Sequence, residues 1–254
     1  MPTNKTSDNG LRIEPVTQAQ DIIDAFEGVS EAFGRQAQDG VWIAMTPGWD
    51  TPEGRSLGAA RMVTRWRGIT QDMSGKPSTV FLKATLPSPD DGGKRIIVGC
   101  AIWVQGSSVA GYGEPAVKEE DLCDAMNLEE IYPGNKSEQR YCCQVVASMH
   151  KQRGEVLEEK ATEDPPAVMI LDLCAVHPAH QRKGIARALV QWGLDEARQR
   201  GDLELILEAS AMGRHVYGQM GFVQEGPEIE YVVDDEFASR SRPSNIFMRT
   251  RGSV

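Results

Sequence analysis

The sequence predicts an α/β fold with a mixed central sheet, and three observations support this prediction. Strand-like apolar runs alternate along the chain with segments of helical periodicity. Apolar residues make up 40% and charged residues 25% of the 254 residues, close to the average of folded globular proteins, which excludes wholesale disorder. The run Val168–Val176 is apolar except for Asp172, as is typical of a strand buried on both faces.

The N-terminal part is predicted to contribute one strand, two helices and two further strands after a polar tail. The helices are indicated by apolar residues at steps of three and four, and the strand pair is separated by the turn-forming run PSPDDGG. These predicted elements are a tail at 1–10, a short strand from Leu11, a helix at 18–34, an ordered loop at 40–58, a helix at 57–68, and strands at 79–86 and 95–104.

From 106 to 166 the chain becomes charged and loses its strand signal, so we expect a helical insert between the third and fourth strands. Its helices are predicted near 117–131 and 136–160. Strand and helix signals then alternate again, and Gly201 and Gly221 follow the two predicted helices. These later elements are strands at 168–176 and 203–208, helices at 184–200 and 211–220, and strands at 222–224 and 245–249. We expect one domain over 11–252.

Charge and cysteine content limit the classes of partner. The 27 basic and 37 acidic residues give a net charge of −10, unfavourable for binding nucleic acid or an anionic membrane and better suited to cationic amines. No apolar run is long enough for a transmembrane helix, and the polar N-terminus does not resemble a signal peptide. The five cysteines form no CxxC pair and no Cys/His metal spacing, so we expect a cytoplasmic protein without a metal.

The most informative segment is QRKGIA, residues 181–186, between a buried strand and a helix. Small residues at Gly184 and Ala186 let a ligand approach the backbone, and the free N–H groups of the first helical turn attract anions. The segment is therefore a candidate pyrophosphate site, and an ordinary basic surface turn is the alternative. It lacks the three glycines of a dinucleotide fingerprint and the GK[ST] of a Walker A loop.

At these residues the chain resembles the GNAT superfamily of N-acetyltransferases. Gln181, Gly184 and Ala186 match the family's acetyl-CoA loop, Q/R-x-x-G-x-G/A. The preceding LCAVHP resembles its motif A strand, and the segment 210–222 (SAMGRHVYGQMGF) is similar to its N-x-x-A-x-x-x-Y-x-x-x-G-F. The matching segments cover about 168–225. The closer resemblance is to a broad group of fungal GNAT-domain proteins of undefined substrate.

The resemblance implies a GNAT-type mixed sheet flanked by helices, with acetyl-CoA as acyl donor and 168–225 as the cofactor-binding and catalytic core. Backbone groups of Cys174 and Val176 would pair with the pantetheine arm, and N–H groups of 182–186 would bind the pyrophosphate. Ser210 stands where the family usually has asparagine, and its hydroxyl can still bond the cofactor. The residues assigned to cofactor binding are Cys174, Ala175, Val176, Gln181, Arg182, Lys183, Gly184, Ile185, Ala186 and Ser210.

Three residues are candidates for catalysis. Tyr217 occupies the family's general-acid position, and a phenol is protonated at neutral pH; packing against the sheet is the alternative. Asp172 is a candidate base, because burial would raise its pKa and the matching strand position in aralkylamine acetyltransferases carries a histidine. A structural carboxylate is the alternative. Glu208, at the end of the next strand, is the rival candidate, and a water chain to either carboxylate would also suffice.

The expected reaction is direct acetyl transfer in a ternary complex to a primary amine, preferably of a small molecule. A peptide α-amine or lysine is the second acceptor class, and a catalytically silent acyl-CoA-binding module is the alternative of another kind. Tyr217 with an accessible carboxylate nearby would separate the enzyme from the silent module. Trp42 and Trp49 lie where the family shapes its acceptor pocket, although core packing also explains them. We expect a monomer or a homodimer.

Overall fold

A mixed sheet organises the protein. The computed structural model describes residues 10–91, 93–115, 117 and 121–250. Within these residues the strands are β1 (Arg12–Pro15), β2 (Thr79–Pro87), β3 (Arg95–Ser107), β4 (Glu114–Pro115), β5 (Val168–Val176), β6 (Glu204–Ser210), β7 (Val223–Glu228) and β8 (Asn245–Arg249). Their order is β1-β2-β3-β5-β6-β8-β7, with β4 paired to the end of β3. β5 and β6 are parallel, whereas the other pairs along this path are antiparallel.

Helices cover both faces of the sheet. The α-helices are α1 (Ala19–Val29), α2 (Gly40–Met45), α3 (Pro52–Arg67), α4 (Leu122–Ala125), α5 (Leu128–Ile131), α6 (Lys136–Lys160), α7 (Ile185–Gln199) and α8 (Arg214–Gly218). On one face α7 packs through Leu189 on Trp103 of β3. On the other, Ile22 of α1, Val63 of α3 and Val156 of α6 share a second buried cluster with the sheet. The predicted fold class is thus confirmed.

The predicted loop at 40–58 is partly wrong, because it contains α2 and the first residues of α3. Asp39 caps α2 by accepting bonds from the N–H groups of Val41 and Trp42, and Thr51 caps α3 ahead of Pro52. Both are helix-start signals that the glycine and proline content of the loop obscured. The predicted helix at 18–34 is α1 followed by a π-helical segment, Ser30–Gln36.

The insert consists of α4, α5 and α6, together with the short strand β4 that the sequence did not predict. The start of the predicted 117–131 helix and the predicted ends of the domain lie partly outside the described residues, so the division into tail and domain stays a prediction. A disulfide joins Cys123 of α4 to Cys143 of α6, a pair that the cysteine spacing did not indicate. No helix in the described part of the chain is long and apolar enough to cross a membrane.

The contact between α7 and the sheet requires a glycine. A Cβ on Gly193 would lie 2.1 Å from Cζ2 of Trp103, a fully buried side chain that donates a hydrogen bond to the Leu189 carbonyl. We expect Gly193→Ala to lower the free energy of unfolding by about 1–3 kcal/mol, as overpacked cores do, in urea denaturation. The matched control is Gly154→Ala on α6, where nothing lies within 4 Å and helix propensity favours alanine. Equal stabilities of the two variants would contradict the prediction.

Candidate active site

A gap opens between the two parallel strands. The register of β5 with β6 runs from Val168↔Glu204 to Leu171↔Leu207 and ends there. Both strands continue, β5 to Val176 and β6 to Ser210, while β6 stays paired with β8 on its other side. The backbone of β5 after Leu171 therefore faces the gap on its β6 side.

The direction of the backbone groups on β5 decides which residues face this gap. The N–H of His177 donates to Val98 on the opposite neighbour, β3, and the carbonyl of Ala175 also lies against β3 at Gly99. Because successive residues of a strand point their backbone groups to opposite sides, Cys174 and Val176 face the gap. Ala175, which the sequence assigned to the cofactor together with Cys174 and Val176, directs its backbone to β3.

The turn after β5 leads into α7 with an unusual backbone. Arg182 and Gly184 have φ angles of +62° and +78°, and Gly184 stands at the N-cap of α7 without a side-chain cap. A Cβ on Gly184 would meet no atom within 4 Å, so the space beside it is open. The side chain of Ile185 is buried in the core, which leaves only its backbone for a ligand, whereas Lys183 is exposed.

Gln181 fastens this turn to its surroundings. Its Nε2 donates to the Val176 carbonyl at 3.1 Å and to Oε1 of Gln36 at 2.7 Å. The turn is thus tied to the end of β5 and to the π-helical segment by side-chain bonds. The open space, the uncapped helix N-terminus and the exposed basic residues fit the pyrophosphate of acetyl-CoA, and the gap beside Cys174 fits an extended chain that pairs as a strand does.

Tyr217 lies at the end of the gap. It is half-buried on α8, with its ring 6.0 Å from that of Phe222, and it lines one cavity together with Cys174 and Ser210. Burial raises the pKa of Tyr217 well above its ordinary value of 10. The neighbouring Cys174 thiol, with which the hydroxyl interacts, acts in the same direction. Burial likewise raises the pKa of Cys174 to about 12. The phenol is therefore a protonated donor beside a protonated thiol throughout the neutral range.

The two candidate bases belong to a buried ion-pair network. Arg153 of α6 binds Glu208 through two atoms, Nε to Oε1 at 3.1 Å and Nη2 to Oε2 at 2.5 Å, and Asp172 through Nη1 at 2.9 Å. Arg65 of α3 binds the other oxygen of Asp172 at 2.7 Å. The side chains of Arg153 and Glu208 are 13% and 4% exposed. Two cations thus neutralise two carboxylates at the wall of the cavity.

This network overturns the expected pKa of Asp172. Burial alone raises that pKa, but the positive charges of Arg65 and Arg153 outweigh it and hold the pKa far below its ordinary value. Asp172 is consequently a firmly ionised carboxylate with weak proton affinity, not the strengthened base that burial alone would make. Neither arginine was predicted from the sequence, because they come from α3 and from the insert and no motif marks them.

The cavity has a volume of about 1810 Å³, and its aromatic wall is formed by Phe26, Phe33 and Trp42. Trp49 meets Trp42 edge to face at 6.1 Å. Nine carboxylates but only four lysines and arginines line the cavity among the described residues. Asp39 is one of these carboxylates. Burial raises its pKa, although the bonds it accepts from two backbone N–H groups act in the opposite direction. An acidic, partly aromatic cavity is chemically suited to an organic cation.

One segment of the chain matches a family model, and several solved structures share the fold of the chain. Residues 161–231 match the family model described as acetyltransferase (GNAT) domain. The mosquito arylalkylamine N-acetyltransferase like 5b has a similar structure, with a TM-score of 0.58 at 13% identity over 94% of this chain and 98% of that chain. The Drosophila melanogaster polyamine N-acetyltransferase gives 0.58 at 11% identity over 94% and 97%. Arylalkylamine N-acetyltransferase 2 from Aedes aegypti gives 0.56 at 16% over 97% and 100%.

No curated protein matches the sequence, and identities this low show a shared fold rather than a shared substrate. The matched domain model covers β5, the turn into α7, β6 and Tyr217, the part of the chain in which the gap was found. The similar structures extend the likeness over nearly the whole chain. Residues 161–231 thus match a GNAT acetyltransferase domain model, and nearly the whole chain shares the fold of these N-acetyltransferases.

Proposed function

We propose that the protein transfers the acetyl group of acetyl-CoA to a primary amine of a small molecule, directly and in a ternary complex. The observation that carries the proposal is the end of the β5–β6 pairing at Leu171, because it exposes strand backbone in a cavity that also contains Tyr217. Cys174 on the exposed strand, Tyr217 and an excess of carboxylates line this one cavity, which supports a transfer site there.

On the donor side, the backbone of Cys174 and Val176 would hold the pantetheine arm, and the turn at Gly184 would hold the pyrophosphate. Acetyl-CoA supplies an activated thioester. A strand N–H directed at its carbonyl oxygen would stabilise the negative charge that develops there during acyl transfer. Tyr217 would donate its hydroxyl proton to the departing sulfur, for which a protonated phenol is suited.

On the acceptor side, the excess of carboxylates would attract a protonated amine, and the wall of Phe26, Phe33 and Trp42 would contact its carbon skeleton. The structurally similar proteins bear names that refer to arylalkylamines and polyamines, which are amines of this kind. The silent-module alternative is disfavoured, because Tyr217, Asp172 and Glu208 all line the cavity and Tyr217 is not enclosed in the core.

Calorimetric titration with acetyl-CoA, followed by a thiol-release assay with phenethylamine, agmatine, spermidine and an N-terminally free peptide, tests the proposal. We expect binding and release with at least one of the three small amines. Gly184→Val is expected to weaken acetyl-CoA binding by about 10- to 100-fold, since it blocks charge-assisted bonds to the turn and strains a positive φ. Gly218→Val on α8, where a Cβ also meets nothing within 4 Å, is the control for an added side chain.

Binding of acetyl-CoA without release by any amine would replace the proposal with the silent module. Release with the peptide alone would move the acceptor to the second class. Unchanged acetyl-CoA affinity of Gly184→Val would remove the turn from the donor site, because only this substitution fills the open space beside the N-terminus of α7.

A further inference from the structure

A histidine of the insert enters the same cavity. His150 lies on α6 one helical turn before Arg153, so the two side chains share a face of that helix. It lines the cavity together with Asp172, Glu208 and Tyr217. No role was predicted for this histidine, since nothing in the sequence indicates that the insert reaches these strands.

The carboxylates around His150 are already engaged. Both oxygens of Glu208 accept bonds from Arg153, and the oxygens of Asp172 are divided between Arg153 and Arg65. A carboxylate that takes a proton in such a network must give up a charge-assisted bond and leave a buried arginine less well compensated. Proton acceptance by Asp172 is therefore costly, and Arg153 already occupies both oxygens of Glu208.

Unlike these ionised carboxylates, His150 is uncharged at neutral pH. The charged groups that act on it come from four elements: Arg153 on α6, Arg65 on α3, Asp172 on β5 and Glu208 on β6. Burial and the positive charge of Arg153 lower the pKa of His150 to about 4, against the opposing effect of the two carboxylates. At neutral pH the imidazole is uncharged, so one ring nitrogen has a lone pair available for a proton.

We propose that His150 is the catalytic base that takes the proton from the acceptor ammonium. The inference rests on the proposed function and assigns a reacting group to the insert. Asp172 and Glu208 then have the role of holding Arg153, and of stabilising the imidazolium while it exists.

The proton and electron balance is complete with these residues. The ammonium gives one proton to His150, and the nitrogen lone pair forms the new C–N bond. As the C–S bond breaks, its electron pair goes to sulfur, which takes the hydroxyl proton of Tyr217. A second proton leaves the nitrogen and restores the phenol. His150 then passes its proton to water, so one proton is released for each amide formed.

The test compares His150→Gln with His215→Gln in the full-length chain. His215 is exposed on α8 and contacts Gln219, so its replacement controls for the loss of a histidine. We expect the kcat of His150→Gln to fall about 100-fold, at the lower end of the effect of a general base. Its affinity for acetyl-CoA should be unchanged, and added imidazole should restore part of the rate. His215→Gln should equal the wild type.

A second readout does not depend on turnover. The ring resonances of His150, assigned by their loss in His150→Gln, should report an uncharged imidazole at pH 7 and shift when phenethylamine or agmatine is added. A His150→Gln variant that is folded, binds acetyl-CoA and turns over at the wild-type rate overturns the inference alone. A wild-type protein that binds acetyl-CoA yet acetylates no amine overturns the proposed function, and the inference falls with it.

Discussion

Arg153→Met is expected to lower the free energy of unfolding by about 3–5 kcal/mol, the range for removing one partner of a buried ion pair. The substitution keeps an unbranched chain but leaves Glu208 without the two bonds it accepts from Arg153. Asp172 keeps Arg65 only. Urea denaturation at pH 7 measures the effect, and the slope with urea concentration should stay constant if the native fold is kept.

The acid side of the stability curve gives an independent check. Because the pKa of Asp172 is lower in the folded than in the unfolded protein, its contribution to stability is present above the ordinary carboxyl pKa of about 4. That contribution is lost as the pH falls through the lowered folded value. The wild type should therefore lose stability below about pH 4 more steeply than Arg153→Met, in which Asp172 has one arginine fewer.

Two further variants separate the ion pairs from the packing of α6. Arg65→Met should cost less than Arg153→Met, since the side chain of Arg65 is 42% exposed and only one carboxylate depends on it. Adding Glu208→Gln to Arg153→Met should recover part of the loss, because it removes the uncompensated charge. If Arg153→Met has the same free energy of unfolding as the wild type both at pH 7 and below about pH 4, the network makes no net contribution to folding.

The sequence predicted the fold more completely than the site. The strands β2, β3 and β5 and the helices α6 and α7 follow the apolar pattern closely, because the central strands are buried over most of their length and each helix buries one stripe. The turn at Gly184 could be predicted as a candidate phosphate site because small residues stand at fixed positions before a helix. These features are local in the sequence, so one segment carries the whole signal.

The environment of Asp172 was not predictable in this way. Its partners Arg65 and Arg153 lie 107 and 19 residues away along the chain, on two helices whose packing the periodicity leaves undetermined. A buried carboxylate is visible in the sequence, but the sign of its pKa shift depends on the charges that the fold brings to it. His150 was overlooked for the same reason, as the insert resembled a surface addition rather than a wall of the cavity.

Tyr217→Phe is expected to reduce kcat by about 10³-fold while the affinity for acetyl-CoA stays unchanged. The substitution removes only the hydroxyl, and the ring can keep its place beside Phe222. Burial and Cys174 raise the pKa of Tyr217, so the wild-type hydroxyl stays protonated and no loss of rate from its ionisation is expected up to pH 10. Steady-state kinetics between pH 7 and pH 10, with the amine that gives the fastest thiol release, measure both effects.

The matched control is Tyr112→Phe, because Tyr112 is partly buried against the same core cluster but does not line the cavity. Its kcat should equal that of the wild type, so a loss confined to Tyr217→Phe cannot be assigned to a missing phenol in general. Cys174→Ala adds a second comparison, since it removes the thiol that contacts the Tyr217 hydroxyl and leaves the donor in place. Retention of the wild-type rate by Tyr217→Phe at neutral pH would limit Tyr217 to packing α8 on the sheet, and the departing sulfur would then take its proton from water.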